Sequence, residues 1–344
     1  MGIFSTADLG LDLGTSSLRI VMRNRGIVHT APAYVAYERG SRSPLFFGEQ
    51  ARSLYGKAPS NIVVERPFRT SWVSHYDLVT ILLRTTLREL TGRRGARPRV
   101  IMALPGSMTD GERQSMIEIV LDAGVRDLTP VDETVAGAIG AGLDVGQQYG
   151  RMNVDIGGAR TNVSVHALGH QVLWDVFPIA GDRFDDAIID YMRRRHNLLI
   201  GERSAERLKL DIGGVRMKDV SVRAEVYGRS LVSGLPRSQS VSSEELSGAL
   251  EEPLRDLVIA LRRTLERTPP ELASDIFDAG ICLSGGGAAL YGLDRMIEEQ
   301  LGIKTILADE PDLAVAHGLE SLLNAPERYE NIDLYTERSW RRAQ

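Results

Sequence analysis

Apolar positions along the chain follow two rhythms. Leu9 to Leu13 and Leu18 to Met22 read as strands joined by a Gly-Thr-Ser-Ser turn, and Met152 to Ile156 with Asn162 to His166 repeat the arrangement. The echo is carried by Leu11-Asp12-Leu13-Gly14-Thr15 and Val154-Asp155-Ile156-Gly157-Gly158, about 140 residues apart, and predicts two similar halves that each open on a hairpin. Between them Leu78, Val79, Leu82, Leu83, Leu87 and Leu90 recur at helical spacing, and Val100 to Leu104 is a short strand stopped by Pro105-Gly106. Thr109 and Glu112 have the spacing of a capping box, and Gly124 stands where a helix C-cap belongs, so 110–123 is predicted as one helix. A strand over 128–131 then leads into a helix of small residues over 134–141, with Glu133 at its start.

Further on, Phe184, Ala187, Ile188 and Tyr191 form one amphipathic stripe. Leu246, Leu250, Leu254, Leu257, Leu261 and Leu265 form a second, behind Ser242 and Glu245 and ended by Pro269-Pro270. The β-branched stretch 220–235, punctuated by Gly228 and Gly234, reads as two strands inserted between these helices. A helix opens near Ser204, a strand at Ile281 to Leu283 precedes a helix over 288–300, and the final helix lies near 314–323. The pattern is mixed α/β.

Composition narrows the class. At 344 residues the chain exceeds a comfortable single core, which favours two lobes. With 43% hydrophobic and 25% charged residues it has the make-up of a folded globular protein, and no apolar run approaches the roughly 20 residues that cross a bilayer. Forty-one basic against 46 acidic side chains give a net charge of -5, so no global field recruits nucleic acid. The one cysteine, Cys282, sits in an apolar strand and reads as a small buried hydrophobe, and the six histidines are too scattered for a zinc site. No signal peptide pattern precedes the first strand, which predicts a cytoplasmic protein.

The candidate chemistry lies in the two Asp-x-Gly turns. A carboxylate followed by glycine at the end of a buried strand sets a negative charge beside a turn whose backbone N–H groups can hold a phosphate. One such turn alone is an ordinary hairpin, but two in matching contexts point to a pair of phosphate loops. Facing each other, Asp12 and Asp155 can share a magnesium ion, largely through its water shell. The third cluster, Ser284-Gly285-Gly286-Gly287, follows a strand and can lie flat against a nucleotide ring, or it can serve close helix packing. Glu206 and Lys209 occupy one helix face, which taken alone is a solvated ion pair. Glu133, at a helix N-terminus, can point into a cleft.

Together these residues resemble the actin, sugar-kinase and heat-shock-chaperone ATPase superfamily. Within it, the chain looks most like the MreB family of bacterial actin homologues. The likeness runs through Gly48-Glu49-Gln50-Ala51, the segments 56–63, 138–142, 197–203, 231–237 and 268–273, and Arg66-Pro67. It implies an actin-like two-domain α/β fold, two ribonuclease H-like halves around a nucleotide cleft. The division expected is 1–143 with an outer subdomain near 29–70, 144–323 with an outer subdomain near 182–268, and a tail over 324–344 that packs on or extends from the first domain.

The resemblance implies ATP or ADP with Mg2+ as ligands. Asp12, Gly14, Thr15 and Ser16 would form the first phosphate loop, and Asp155, Gly157, Gly158 and Ala159 the second. Gly285, Gly286, Gly287 and Ala288 would form the adenosine loop, with Glu206 and Lys209 beside adenine. Glu133 resembles the residue that positions the attacking water for ATP hydrolysis, with Asp155 as its catalytic companion. Also implied are a homopolymer of stacked subunits, contact with the inner face of the plasma membrane, and cell-elongation membrane proteins as partners in shape and wall growth.

The second loop departs from the family's Asp-Ile-Gly-Gly-Gly-Thr-Thr, with Ala159 and Arg160 in place of its third glycine and first threonine. Alanine lacks glycine's freedom at positive φ, and Arg160 adds a permanent charge that can bind phosphate or take the metal's place. Ser17 and Leu18 replace Asn and Thr in the first loop, and Thr134 replaces a proline. These departures predict slow hydrolysis, with a hydrolysis-deficient or nucleotide-independent filament scaffold as the rival. A small-molecule kinase would need acceptor-binding segments that are not found between the loops, and a chaperone ATPase a client domain after the last helix. For membrane contact the candidates are Arg93, Arg94 and Arg97, the N-terminal Ile3 and Phe4, and Trp340 among Arg338, Arg341 and Arg342.

Overall fold

The computed structural model describes residues 9–41, 43–68, 75–91, 97–215 and 222–334. Ile3, Phe4, Arg93, Arg94, Arg338, Trp340, Arg341 and Arg342 lie outside them, while Arg97 is exposed.

The chain opens with an antiparallel meander, β1 (Leu9–Leu13), β2 (Ser17–Met22) and β3 (Gly26–Pro32). The expected hairpin is therefore three-stranded. β3 escapes the alternation rule because its positions are nearly all half-buried. A small sheet follows, built of β4 (Val35–Glu38), β5 (Pro44–Phe47), the short helix α1 (Gly48–Leu54) and β6 (Ile62–Glu65), in the order β5-β4-β6. α2 (Tyr76–Thr91) then returns the chain to β7 (Arg99–Leu104), which runs parallel to β1 with Asp12 opposite Ala103. α3 (Asp110–Asp122) carries the full Thr109/Glu112 capping box and leads to β8 (Asp127–Asp132), parallel to β7. The first large sheet has the order β3-β2-β1-β7-β8.

α4 (Glu133–Gly140) crosses to the second half, where the same order recurs. β9 (Arg151–Ile156), β10 (Thr161–Ala167) and β11 (His170–Phe177) form the second meander. α5 (Gly181–His196), β12 (Leu198–Leu199) and α6 (Glu202–Ile212) follow, and then a hairpin of β13 (Arg223–Ser230) and β14 (Pro236–Ser242) that starts and ends later than expected. α7 (Ser243–Arg267), opened by a complete Ser242/Glu245 capping box, lays Leu246, Leu250, Leu254, Leu257 and Leu261 into the core. Each such burial contributes about 1.5–3 kcal/mol. α8 (Pro270–Ala279) precedes β15 (Ile281–Ser284), α9 (Leu293–Leu301) and β16 (Thr305–Leu307), and the second sheet reads β11-β10-β9-β15-β16. The single helix expected over 288–300 is two pieces, a 3-10 turn at Gly286–Ala289 and α9, separated where Gly292 takes φ 76°.

The last helix, α10 (Ala314–Asn324), packs on the first sheet although the sequence division groups it with the second half. Its Val315, Ala316, Leu319, Leu322 and Leu323 share a core with Val21, Ile101 and the α4 residues Val135, Ala136 and Ala138. α4 and α10 cross at backbone distance because the crossing is built from glycine. A Cβ on Gly140 would collide with the carbonyl of Ala314, and one on Gly318 with that of Ala136. Beyond α10 the described tail stays with the first half: Leu334 is buried in the same core and accepts a hydrogen bond from Asp132 N at 2.8 Å.

Candidate functional site

Each meander turns at its Asp-x-Gly segment, and the two turns meet. Gly14 N donates to Ser17 O and Gly157 N to Arg160 O, both at 2.9 Å, so the loops are closed alike. Ala159 N reaches Thr15 Oγ1 at 3.3 Å, and a Cβ on Gly158 would press on Thr15 and Ser16. No residue of 157–160 has positive φ, so alanine at 159 sits without the strain expected of it.

The third side of the cleft is the 285–287 segment after β15. Gly285 has φ 82°, and a Cβ there would run into Asp155 Oδ1 and the carbonyl of Ile156. Gly287 lies against the Ile156 side chain with as little room. Only glycine brings this backbone so close to the second turn. The resulting cleft has a volume of about 470 Å³. Asp12, Gly14, Thr15, Ser16, Glu133, Asp155, Gly157, Gly158, Glu206, Lys209 and the three glycines all line it. Ala159 and Ala288 do not. Ala159 is spent on the contact between turns, and Ala288 is buried in the second core.

Charge in the cleft floor is concentrated and dry. Burial pushes Asp155 up to about 7, with repulsion from Glu133 and Asp12 adding to it. Asp12 is pushed up to about 6, again by burial first, against the pull of Arg19. Glu133 is the first residue of α4, and the preceding Asp132 caps that helix by accepting from Thr134 N at 2.9 Å. Its carboxylate is already engaged: Arg160 Nη2 donates to Glu133 Oε2 at 2.8 Å, with both side chains largely buried. Arg19, which sequence reasoning missed, reaches Asp12 Oδ2 and Asp312 Oδ2, each at 3.4 Å. A polar residue within the apolar run 18–22 was the signal that could have found it.

At the mouth, Glu206 and Lys209 both line the cleft but do not pair with each other. Lys209 Nζ donates to Asp185 Oδ2 and to Gly181 O, both at 3.0 Å, while Glu206 accepts from Arg52 Nη2 at 2.8 Å. Burial raises Asp185 to about 6 despite Lys209. Arg66 places two nitrogens on the two carboxylate oxygens of Asp182, and Tyr55 donates to Glu202 at 2.8 Å. Arg52, Tyr55 and Arg66 come from the small sheet of the first half and its helix, and their partners from α5 and α6. These bridges join residues up to 154 apart, so no local pattern announces them.

Two halves of identical strand order, each opening on an Asp-x-Gly turn and facing the other across a cleft, define the actin-like class of folds. The chain belongs to the MreB/Mbl protein family, which it matches over residues 6–331. It is 37% identical over 335 residues to the cell shape-determining protein Mbl of Bacillus cereus, covering 97% of this chain and 99% of that one. To the cell shape-determining protein MreB of Escherichia coli it is 40% identical over 323 residues, 92% of this chain and 93% of the relative. The crystal structure of MreB5 of Spiroplasma citri bound to ADP superimposes with a TM-score of 0.89 at 28% identity, covering 93% and 96% of the two chains. The MamK double helical filament subunit shares the fold, with a TM-score of 0.76 at 18% identity over 91% of this chain. Among the described residues no helix is long and apolar enough to cross a membrane.

Proposed function

We infer that the cleft binds an adenine nucleotide, ATP or ADP, and that the chain polymerises into an actin-like filament that serves cell shape. The observation that carries this reading is the meeting of the two Asp-x-Gly turns under the Gly285–Gly287 backbone, in a chain of the MreB/Mbl family. Turns of this kind hold phosphate oxygens through backbone N–H groups, and a flat glycine segment suits a nucleoside. The S. citri relative bound to ADP supports the ligand class, and the cell shape-determining relatives support the role.

Mg2+ fits the floor of the cleft. Two buried carboxylates whose proton affinity is raised first by burial, with Asp12 adding to the rise at Asp155, are stabilised by a cation between them. Among the described residues no three His, Cys, Asp or Glu side chains converge on one point, so Asp12 and Asp155 would hold the ion through its water shell. When bound, the ion would neutralise phosphate charge. Glu133 would orient a water toward the terminal phosphate, and its engagement by Arg160 supports slow hydrolysis. That same engagement is the observation favouring the second reading, a filament scaffold that does not hydrolyse. Weak attachment to the inner face of the plasma membrane, with exposed Arg97 contributing, and membrane proteins of cell elongation as partners complete the proposal.

Sedimentation with ATP, with ADP and without nucleotide, in magnesium and with released phosphate recorded in the same tubes, tests it. Pelleting that needs ATP, with phosphate release, is expected. Pelleting indifferent to nucleotide and without phosphate would establish the scaffold instead. A soluble protein that consumes ATP would return the chain to the kinases of the superfamily.

A further inference from the structure

Arg160 stands out among the groups of the cleft because its chemistry is half used. Its guanidinium has five N–H donors in a fixed fork. One terminal nitrogen donates to Glu133 at 2.8 Å, while Nε and Nη1 are buried and meet no acceptor among the described residues. A buried donor left unmet costs about 1–3 kcal/mol, so an acceptor that a ligand brings within reach of it is stabilised. Arg160 closes the Gly157-Gly158-Ala159 loop and lines the cleft with Asp12, Asp155 and Glu133, its other side bordering a small apolar hollow under Phe68 and Met102 that, among the described residues, offers no anion. A phosphate oxygen matches a guanidinium fork in both charge and geometry.

The charge balance points the same way. Beside nucleotide phosphates, a divalent ion chiefly neutralises charge, and it must shed or share its water shell to do so. Here two guanidiniums offset the floor carboxylates Asp12, Glu133 and Asp155, which would otherwise repel a phosphate. Arg160 is paired to Glu133, and Arg19 bridges Asp12 and Asp312 with its own Nε buried and unmet among the described residues. Both side chains are only 13% exposed, so they are fixed in place and weakly screened. Phosphates entering the cleft meet cations that need no dehydration.

We propose that Arg160 is a phosphate-binding cation, seconded by Arg19, which makes nucleotide binding in this cleft largely independent of a divalent metal. The inference rests on the adenine-nucleotide reading above and deepens it: magnesium, where present, adds to a site that holds phosphate without it. Glu133 then has two functions, keeping the guanidinium in position before the phosphate comes and facing that phosphate afterwards.

Calorimetric titration of the full chain with ADP and with ATP, in excess magnesium and in EDTA, decides the matter with no reference to turnover. The wild-type dissociation constant is expected to change by no more than about threefold between the two buffers, while Arg160→Thr loses at least about tenfold in EDTA relative to its own value in magnesium. A wild-type protein that loses tenfold or more in EDTA overturns the proposal and leaves the nucleotide reading intact. Nucleotide binding by Arg160→Thr that is as indifferent to EDTA as the wild type also overturns it. Absence of binding in both buffers sinks the two readings together. Should Arg160→Thr fail to unfold cooperatively on heating, the wild-type comparison still decides, and Arg160→Gln, which keeps a donor for Glu133 without the charge, takes its place.

Discussion

Arg66 Nη1 and Nη2 lie 2.9 Å from Asp182 Oδ1 and Oδ2, a two-pronged bridge between the small sheet of one half and the helix that opens the outer part of the other. With Arg52 to Glu206 and Tyr55 to Glu202, it spans the mouth of the cleft. A bidentate charge-assisted pair of this kind is worth roughly 1–3 kcal/mol where it is largely shielded from water, as Arg66 is. Since the bridge joins the two halves across the mouth, Arg66→Ala is expected to speed release of a fluorescent ADP analogue about 5- to 100-fold in stopped flow, with much less effect on the rate of entry. An unchanged release rate would mean that the bridge does not guard the nucleotide.

Gly285 is a position in the cleft where a single methyl group matters strongly. Its φ of 82° and the contact with Asp155 Oδ1 and the Ile156 carbonyl both oppose any side chain. Gly285→Ala is expected to cost at least about 2 kcal/mol of stability, a fall in Tm of several degrees in a chain of this size. Gly286→Ala, whose Cβ would find its nearest neighbour 3.7 Å away on Asp312, is the control and should change Tm little. Differential scanning calorimetry of the two variants side by side separates the effects.

On the function proposed above, Glu133 orients the attacking water, and its carboxylate is engaged by Arg160. Removing it by Glu133→Ala is expected to lower steady-state phosphate release about tenfold or more, while ATP-dependent pelleting persists. Loss of pelleting together with phosphate release would instead assign Glu133 to the fold or to assembly.

His166 offers a pH signature remote from the cleft. Within β10 its ring is fully buried beside Ser164 Oγ at 2.9 Å, and burial lowers its pKa from 6.5 to about 4. The folded chain therefore resists protonation that the unfolded chain accepts. This contribution to stability is complete above pH 6.5 and drains away as pH falls toward 4, amounting to about 3 kcal/mol over the whole window. Replacing the ring by His166→Gln removes that drain, so the stability gap between wild type and variant should move by about 2–3 kcal/mol in the variant's favour between pH 7 and pH 4.5 in urea titrations. A gap that stays constant would show that the ring titrates alike in both states.

What could be read in the sequence was whatever is written locally. Capping boxes at Thr109 and Ser242, the two Asp-x-Gly turns and the leucine stripe of α7 depend on neighbours within a few residues, and each stands where its spacing puts it. The third strand β3 was not legible because its half-buried positions blur the alternation, and β11 because its exposed positions include the apolar Val172 and Trp174. The break between Ala289 and Leu293 depends on one glycine at positive φ. At the site, the sequence supplied carboxylates, glycines and the cations Arg160 and Lys209, but not the remaining arginines. Arg19, Arg52 and Arg66 are defined by partners on distant segments, and the same is true of Lys209, whose partner is Asp185 rather than Glu206. The return of α10 to the first sheet is equally non-local, since its apolar stripe of Val315, Leu319 and Leu322 would suit either half.

That return has a mechanical consequence. The polypeptide passes from one half to the other at α4 and comes back at α10, and these two helices touch backbone to backbone where Gly140 and Gly318 exclude every side chain. Two covalent passages packed against each other at a single crossing favour rocking about that crossing over sliding of one half past the other. On that geometry the crossing at Gly318 is the fulcrum for any opening of the mouth at Arg66.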